Sequence, residues 1–295
     1  NGAADNSRIA GDANTATFDV TISGGTLRND ANEQIADTAS ITMSSGVYSL
    51  NGVTETIDAF TNSGGTFTTG AGTLIGLGNT ITWSGGTNTI NDGGTVQDQH
   101  FDVSGGTNTV EGGTTGGTLR VQSGGTGFEF TGTGTPNVTL SSDAANAGRM
   151  LLEGNLTVAS TITGTATISS GLALANSGFI DMGAAARTFT VNDATPDIDL
   201  EISALITNGG LTKAGTGTME LTGVNTYAGG TDINAGTLLI NASNAGAIGD
   251  VNINSGGTLG GTGTVGGATT LNSGGFLSAG DGGIGTLTFE EDGAP

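Results

Sequence analysis

The chain has 295 residues, of which 57 are glycine, 4% are aromatic and 11% are charged, where an average globular chain carries about 25% charged residues. The 34% apolar content is too high for a solvated disordered tract, so the apolar material must be buried by regular repetition. With 27 acidic against 6 basic side chains and no cysteine, the chain lacks the basic footprint that nucleic acid or an anionic membrane surface requires, and it has no thiolate for a disulfide or a metal.

Residues 1–16, NGAADNSRIAGDANTA, are small and polar and read as an N-terminal arm. The chain starts at Asn1 without a basic or apolar leader, which is expected of a processed chain or a piece of a longer one. No apolar run approaches the ~18 residues of a membrane helix, so no membrane insertion is expected.

From residue 17 the sequence repeats. The phrase Ser-Gly-Gly-Thr, or a close equivalent, places serines at Ser23, Ser44, Ser63, Ser84, Ser104 and Ser123, in steps of 21, 19, 21, 20 and 19 residues. Each serine follows a short alternating segment: Phe18, Val20 and Ile22 share one side, as do Ile81 with Trp83 and Phe101 with Val103. Period-2 alternation is the mark of a strand, and Gly-Gly supplies a turn at positive φ. Asn62 and Gln122 stand where the others have an apolar residue, so slips of register are expected there. A unit this small cannot bury its apolar side alone, whereas stacked units can. Stacking at ~4.8 Å sets Thr87 over Thr107, Asn88 over Asn108 and Ile90 over Val110, and stacked asparagine amides can bond along the axis. The fold class is all-β, a right-handed parallel β-helix (β-solenoid) of about 20 residues per rung. A chain of this length then makes about 14 rungs, a rod of roughly 65–70 Å.

Within this regular stretch, 17–130, lies the single histidine, His100, with Asp98 and Asp102 expected on the same outward side. A His–carboxylate pair could act as base and orienter, although the ordinary reading is a solvated strand face. Residues 131–207 lose the phrase but keep the alternation, as irregular rungs. SSDAANAGRMLLEG (141–154) breaks the pattern and reads as a loop or one helical turn projecting from a rung. DIDLEI (197–202) sets Asp197, Asp199 and Glu201 on one side of a strand, ~6.6–6.8 Å apart. That spacing could serve glycoside hydrolysis or calcium, and any exposed acidic strand gives the same pattern. Calcium is the one cofactor left open. With Arg8, Arg28, Arg120, Arg149, Arg187 and Lys213 as the whole basic set, a calcium-dependent lyase site is thin.

Residues 208–295 carry a different signature. GGLTKAGTGTMELTGVNTYAGGTDINAGTLLI (209–240) contains Gly209-Gly210-Leu211, Lys213, Gly215, Gly217, Leu221, Gly223, Asn225, Tyr227, Gly229-Gly230-Thr231 and Gly236-Thr237-Leu238, and LSAGDGGIGTLTF (277–289) follows. Over 209–289 this resembles the passenger-associated repeat of bacterial autotransporters and related large surface proteins. Glu220 and Ala279 depart from the family's pattern, and no translocator barrel follows within the 295 residues. The resemblance implies an exported cell-surface β-helix, its barrel removed or its export by another route.

No amphipathic helix at either end can serve as a lid, so both terminal rungs are expected to be bare, and bare strand edges invite pairing. Copies of the chain stacked end to end are therefore one expected partner, and cell-surface or extracellular-matrix components the other. The functional expectation is a non-enzymatic extracellular structural or adhesive solenoid without catalytic, cofactor or metal residues, as a surface stalk or a filament subunit. The alternatives are a polysaccharide-acting lyase or hydrolase and a calcium-dependent adhesion module.

Overall fold

The structure, a computed structural model, describes residues 6–9, 19–142, 146–171 and 177–290, with side chains from residue 19 onward. Every strand pairing is parallel, and the chain winds about 12 turns of ~21 residues into a β-solenoid, with no helix among the described residues. Each full turn lays one strand on each of three faces. Thr80–Trp83, Thr87–Ile90 and Thr95–Asp98 make one such turn, and His100–Val103, Thr107–Val110 and Thr118–Val121 lie on the same three faces of the next.

The alternation in the sequence becomes inward and outward. On the first face Phe60, Ile81, Phe101, Phe128, Leu156 and Phe189 stack in one inward column, each without solvent contact or nearly so. Full burial of such a side chain stabilises by about 1.5–3 kcal/mol. Because the core is narrow, equivalent side chains meet directly. Tyr48, Phe60 and Phe67 form one aromatic cluster, and Trp83, Phe101, Phe128 and Phe130 continue as a chain with ring centres 5.0–6.3 Å apart.

The Gly-Gly corner joins the first face to the second. At Gly86 φ is +68° and a Cβ would lie 2.1 Å from the Gly65 carbonyl oxygen of the turn below, so both conformation and stacking distance exclude a side chain. The expected stack holds residue for residue: Thr87 over Thr107, Asn88 over Asn108, Ile90 over Val110. Asn62 keeps the register as well. It points inward, fully buried, and its Nδ2 donates to Asn88 Oδ1 at 2.8 Å, as Asn88 Nδ2 does to Asn108 Oδ1 at 2.8 Å.

Two expectations need correction. Ser123 is not the sixth copy of the first corner, because it follows Thr118–Val121 on the third face, and the corner over Ser104 is made at Gly132. The rod is also shorter than 14 rungs, about 12 turns or roughly 55–60 Å at ~4.8 Å per turn. The cause lies in the irregular middle: the offset between stacked residues rises from 20 at Asn88 to 30 at Thr139 and 33 at Val158, then returns to 19 at Leu200.

At the N-terminal end the third face is capped, while the second is extended by one strand whose far edge has no partner among the described residues. Asn6–Ile9 pairs in parallel with Thr26–Asn29 on the second; the rest of the expected arm over 1–16 lies outside the described residues. On the third face, side chains of residues 32–35 replace a strand beside Thr54–Ile57. Thr54 N–H donates to Asn32 Oδ1 (2.9 Å), Thr56 N–H to Glu33 Oε2 (3.1 Å), and Glu33 N–H to the Thr54 carbonyl (3.0 Å). The expectation of a bare end is corrected on this face alone, because carboxamide and carboxylate oxygens can satisfy a strand edge without any helix.

Candidate functional site

The residues singled out as possible catalysts do not assemble. Asp98 ends a third-face strand and points inward, fully buried, while His100 begins the next strand on the first face. Asp98 Oδ1 accepts the Gln99 N–H at 2.5 Å and its Oδ2 has no partner; burial pushes its pKa up. His100 Nδ1 meets Thr126 Oγ1 at 2.8 Å, and Asp102 bonds the Thr131 hydroxyl. All three brace corners, and the expected outward His–carboxylate pair is not formed.

The acidic trio separates too. Asp197 is exposed and Glu201 half-buried, but Asp199 is fully buried, its Oδ1 accepting Ala194 N–H (2.8 Å) and its Oδ2 Thr218 N–H (2.7 Å). The expectation that all three share one side is wrong, because Asp199 sits at a corner, where alternation fails. No group of three or more His, Cys, Asp or Glu side chains that could hold a metal occurs among the described residues. Nor is any helix there long and apolar enough to cross a membrane.

Two further buried ionisable groups, Glu55 and Lys213, lie inside the rod. Glu55 faces inward near the capped end, its Oε1 accepting Ile35 N–H at 3.0 Å, and its Oε2 accepting Gln34 N–H at 2.9 Å and the Asn29 amide. Burial raises its pKa to about 7 against the lowering effect of these bonds, with Glu33 and Asp37 adding to the rise. Lys213 stacks in the first-face column between Phe189 and Ile233. Its ammonium donates to the carbonyls of Ala214 (3.0 Å), Gly215 (2.9 Å) and Ala235 (3.1 Å), and burial lowers its pKa to about 8 against the pull of Asp199.

A walled recess lies on the outer surface. On the third face the outward column runs Thr95, Thr118, Arg149, Phe179. Beside it, residues 111–117 meet residues 146–148 of the next turn in an isolated antiparallel bridge between Gly113 and Asn146. Gly113 N–H donates to the Asn146 carbonyl (3.1 Å) and Asn146 Nδ2 to the Thr114 carbonyl (2.6 Å). Asp92 anchors the wall from below, accepting Thr114 N–H and hydroxyl, Thr115 N–H and Gly116 N–H at 2.6–2.9 Å, bonds that hold its carboxyl far below the usual range. The enclosed groove, about 300 Å³, is lined by Thr95, Thr115, Thr118, Asn146, Arg149 and Phe179 among others. The sequence signal for it was the break in alternation over 141–154; of that stretch Arg149–Leu152 is a regular third-face strand, and residues 143–145 lie outside the described residues.

A second surface is the end of the last described turn. Thr269–Leu271, Phe276–Ala279 and Thr288–Phe289 have no strand stacked on their far side among the described residues. Leu271, Leu277 and Phe289 each continue an inward column, yet are 53%, 46% and 40% exposed around a cavity of about 450 Å³.

The repeat over 209–240 is explained by its bonds. After Leu221 the turn omits its third-face strand and Asn225 stands in for it. Asn225 Oδ1 accepts Ile206 N–H at 2.8 Å, and its Nδ2 donates to Gly223 O at 3.1 Å and Asn244 Oδ1 at 2.8 Å. Tyr227 is buried, with its hydroxyl 2.9 Å from Thr231 Oγ1.

Residues 211–240 match the family model described as the passenger-associated-transport-repeat. Among curated relatives, the chain is 40% identical over 114 residues to the Adhesin BmaC autotransporter of Brucella suis biovar 1 (strain 1330), covering 37% of this chain and 3% of that protein. It is 48% identical over 85 residues to an Extracellular serine protease of Serratia marcescens, covering 29% of this chain and 8% of the relative. The chain thus spans only a small part of either. No solved structure matches it.

Proposed function

We propose that this chain is a non-enzymatic, extracellular section of a bacterial surface stalk, a stiff rod that carries adhesive contacts on its outer faces. The observation that carries this reading is the fate of the acid–base candidates. Asp98, His100, Asp102 and Asp199 are spent on corners, and what remains outside is a hydroxyl-rich surface of stacked threonines. The passenger repeat and the adhesin relative support an exported, cell-surface role. Hydrogen-bond ladders on three faces give such a rod its resistance to bending, and the net −21 keeps it dispersed.

Head-to-tail stacking into a filament is the second reading, favoured by the exposed Leu271, Leu277 and Phe289. It requires the third-face cap at the N-terminal end to open, so we place the stalk first. The test is adhesion of beads coated with the purified chain to cells and to extracellular matrix, run beside assays for polysaccharide and protein cleavage. Retention of the beads without cleavage supports the reading. Cleavage of a polysaccharide without retention overturns it in favour of the β-helix enzymes.

A further inference from the structure

We propose that the third-face groove is a binding site for a carboxylated sugar, with Arg149 taking the carboxylate and Phe179 the apolar face of the ring. The inference rests on the adhesive reading above and names its ligand class.

The first ground is an uncompensated cation. Among the described residues Arg28 pairs with Asp30 and Arg120 with Glu153, Arg187 donates to the carbonyls of Met182 and Glu153, and Lys213 is caged by three carbonyls. Among the described basic side chains, that of Arg149 alone has no hydrogen bond or ion pair, in a chain with 27 acidic side chains. Among the described residues, the carboxylates Asp92, Glu153 and Asp181 are already engaged, by the wall, by Arg120, and by Gly183 N–H and Asn208. A guanidinium left open matches a carboxylate in bidentate geometry.

The second ground is an aromatic ring out of place. Every other described aromatic side chain lies inside the rod or on its last turn, whereas Phe179 points outward and half-buried, in register with Arg149 one turn away. At the ~4.8 Å spacing of stacked strands, cation and ring together span a single sugar residue. Thr95, Thr118 and Asn146 add donors and acceptors for hydroxyl groups. The Asp92 anchor and the Gly113–Asn146 bridge fix the wall before a ligand arrives, which lowers the ordering cost of binding.

A peptide fits less well. Both edges of Arg149–Leu152 are already paired, leaving no strand edge for an extended chain. A polyanion is disfavoured by the single unpaired cation. One carboxylate on a hydroxylated ring is the match.

The experiment titrates the purified chain with two acidic sugars, trigalacturonate and sialyllactose, and with their uncharged counterparts, methyl-esterified trigalacturonate and lactose. Binding of either acidic sugar, weakened at least tenfold by loss of its charge and by Arg149→Gln, and partly restored by Arg149→Lys, is the expected result. The arm that binds identifies the source of the carboxylate. Phe179→Ala, also on the surface, weakens binding of the same sugar and guards against a folding artefact in one variant. Binding that is indifferent to esterification and to Arg149→Gln overturns the proposal, as does an Arg149-dependent response to a poly-glutamate peptide alone, or no binding of any sugar. If Arg149→Gln beads adhere as well as wild type, the adhesive reading stands and this assignment falls. If wild-type beads fail to adhere, the failure belongs to the adhesive reading.

Discussion

Asn88 donates its side-chain amide to Asn108 in the turn above, 2.8 Å away, and accepts from Asn62 in the turn below at the same distance. Fully buried, these amides form a ladder along the rod axis that ends on the Asn137 carbonyl. Asn88→Ala removes both links and leaves Asn108 Oδ1 without its donor, so the variant should lose about 2–4 kcal/mol. Urea unfolding followed by circular dichroism measures this. A loss below ~0.5 kcal/mol would mean that the ladder does not hold the turns together.

Glu55 makes the capped end sensitive to pH. Its folded pKa, about 7, lies above its ordinary value of 4.5, so the native state binds the proton more tightly than the unfolded chain. The stability this group contributes is fully present below pH 4.5 and is lost as pH rises through 7. Thermal melts of wild type and Glu55→Gln should therefore run parallel below pH 4.5 and diverge towards pH 8, with wild type falling behind. Parallel curves throughout that range would contradict the assignment.

Lys213 occupies an inward position with three carbonyl acceptors. Lys213→Met keeps the stem's volume but strands those carbonyls in the core, which should cost about 2–4 kcal/mol. Chemical denaturation is the check, and a variant as stable as wild type would show that the carbonyls find other donors.

At the open end, Leu277 is 46% exposed. Leu277→Asp should change folding stability by no more than ~0.5 kcal/mol while abolishing any end-to-end association seen by analytical ultracentrifugation. Association that survives this change would have to use another surface.

Much of the architecture was legible because a constant spacing converts sequence equivalence into spatial equivalence. That is why the stack of Thr87 on Thr107 and Asn88 on Asn108 could be read from residue numbers alone. Where the offset varied, the method failed. Ser123 carries the right phrase at the right distance, but a four-residue phrase does not say which of three corners it turns. Asp98 and His100 look like neighbours on one side, yet Gln99 turns the chain between them and sends the two residues to different faces. The cap was hidden because Asn32, Glu33 and Glu55 act on partners about twenty residues away. Arg149 looked like one of six scattered cations. Its isolation appears only once the partners of the others are known.

The most direct test of the central claim, a stalk section capped on its third face at the N-terminal end, is negative-stain imaging of the purified chain at neutral pH. Single rods roughly 55–60 Å long, or pairs joined at one end, are the expected result. Long fibres of constant width would contradict it, because head-to-tail growth would require the edge capped by residues 32–35 to open and accept another copy.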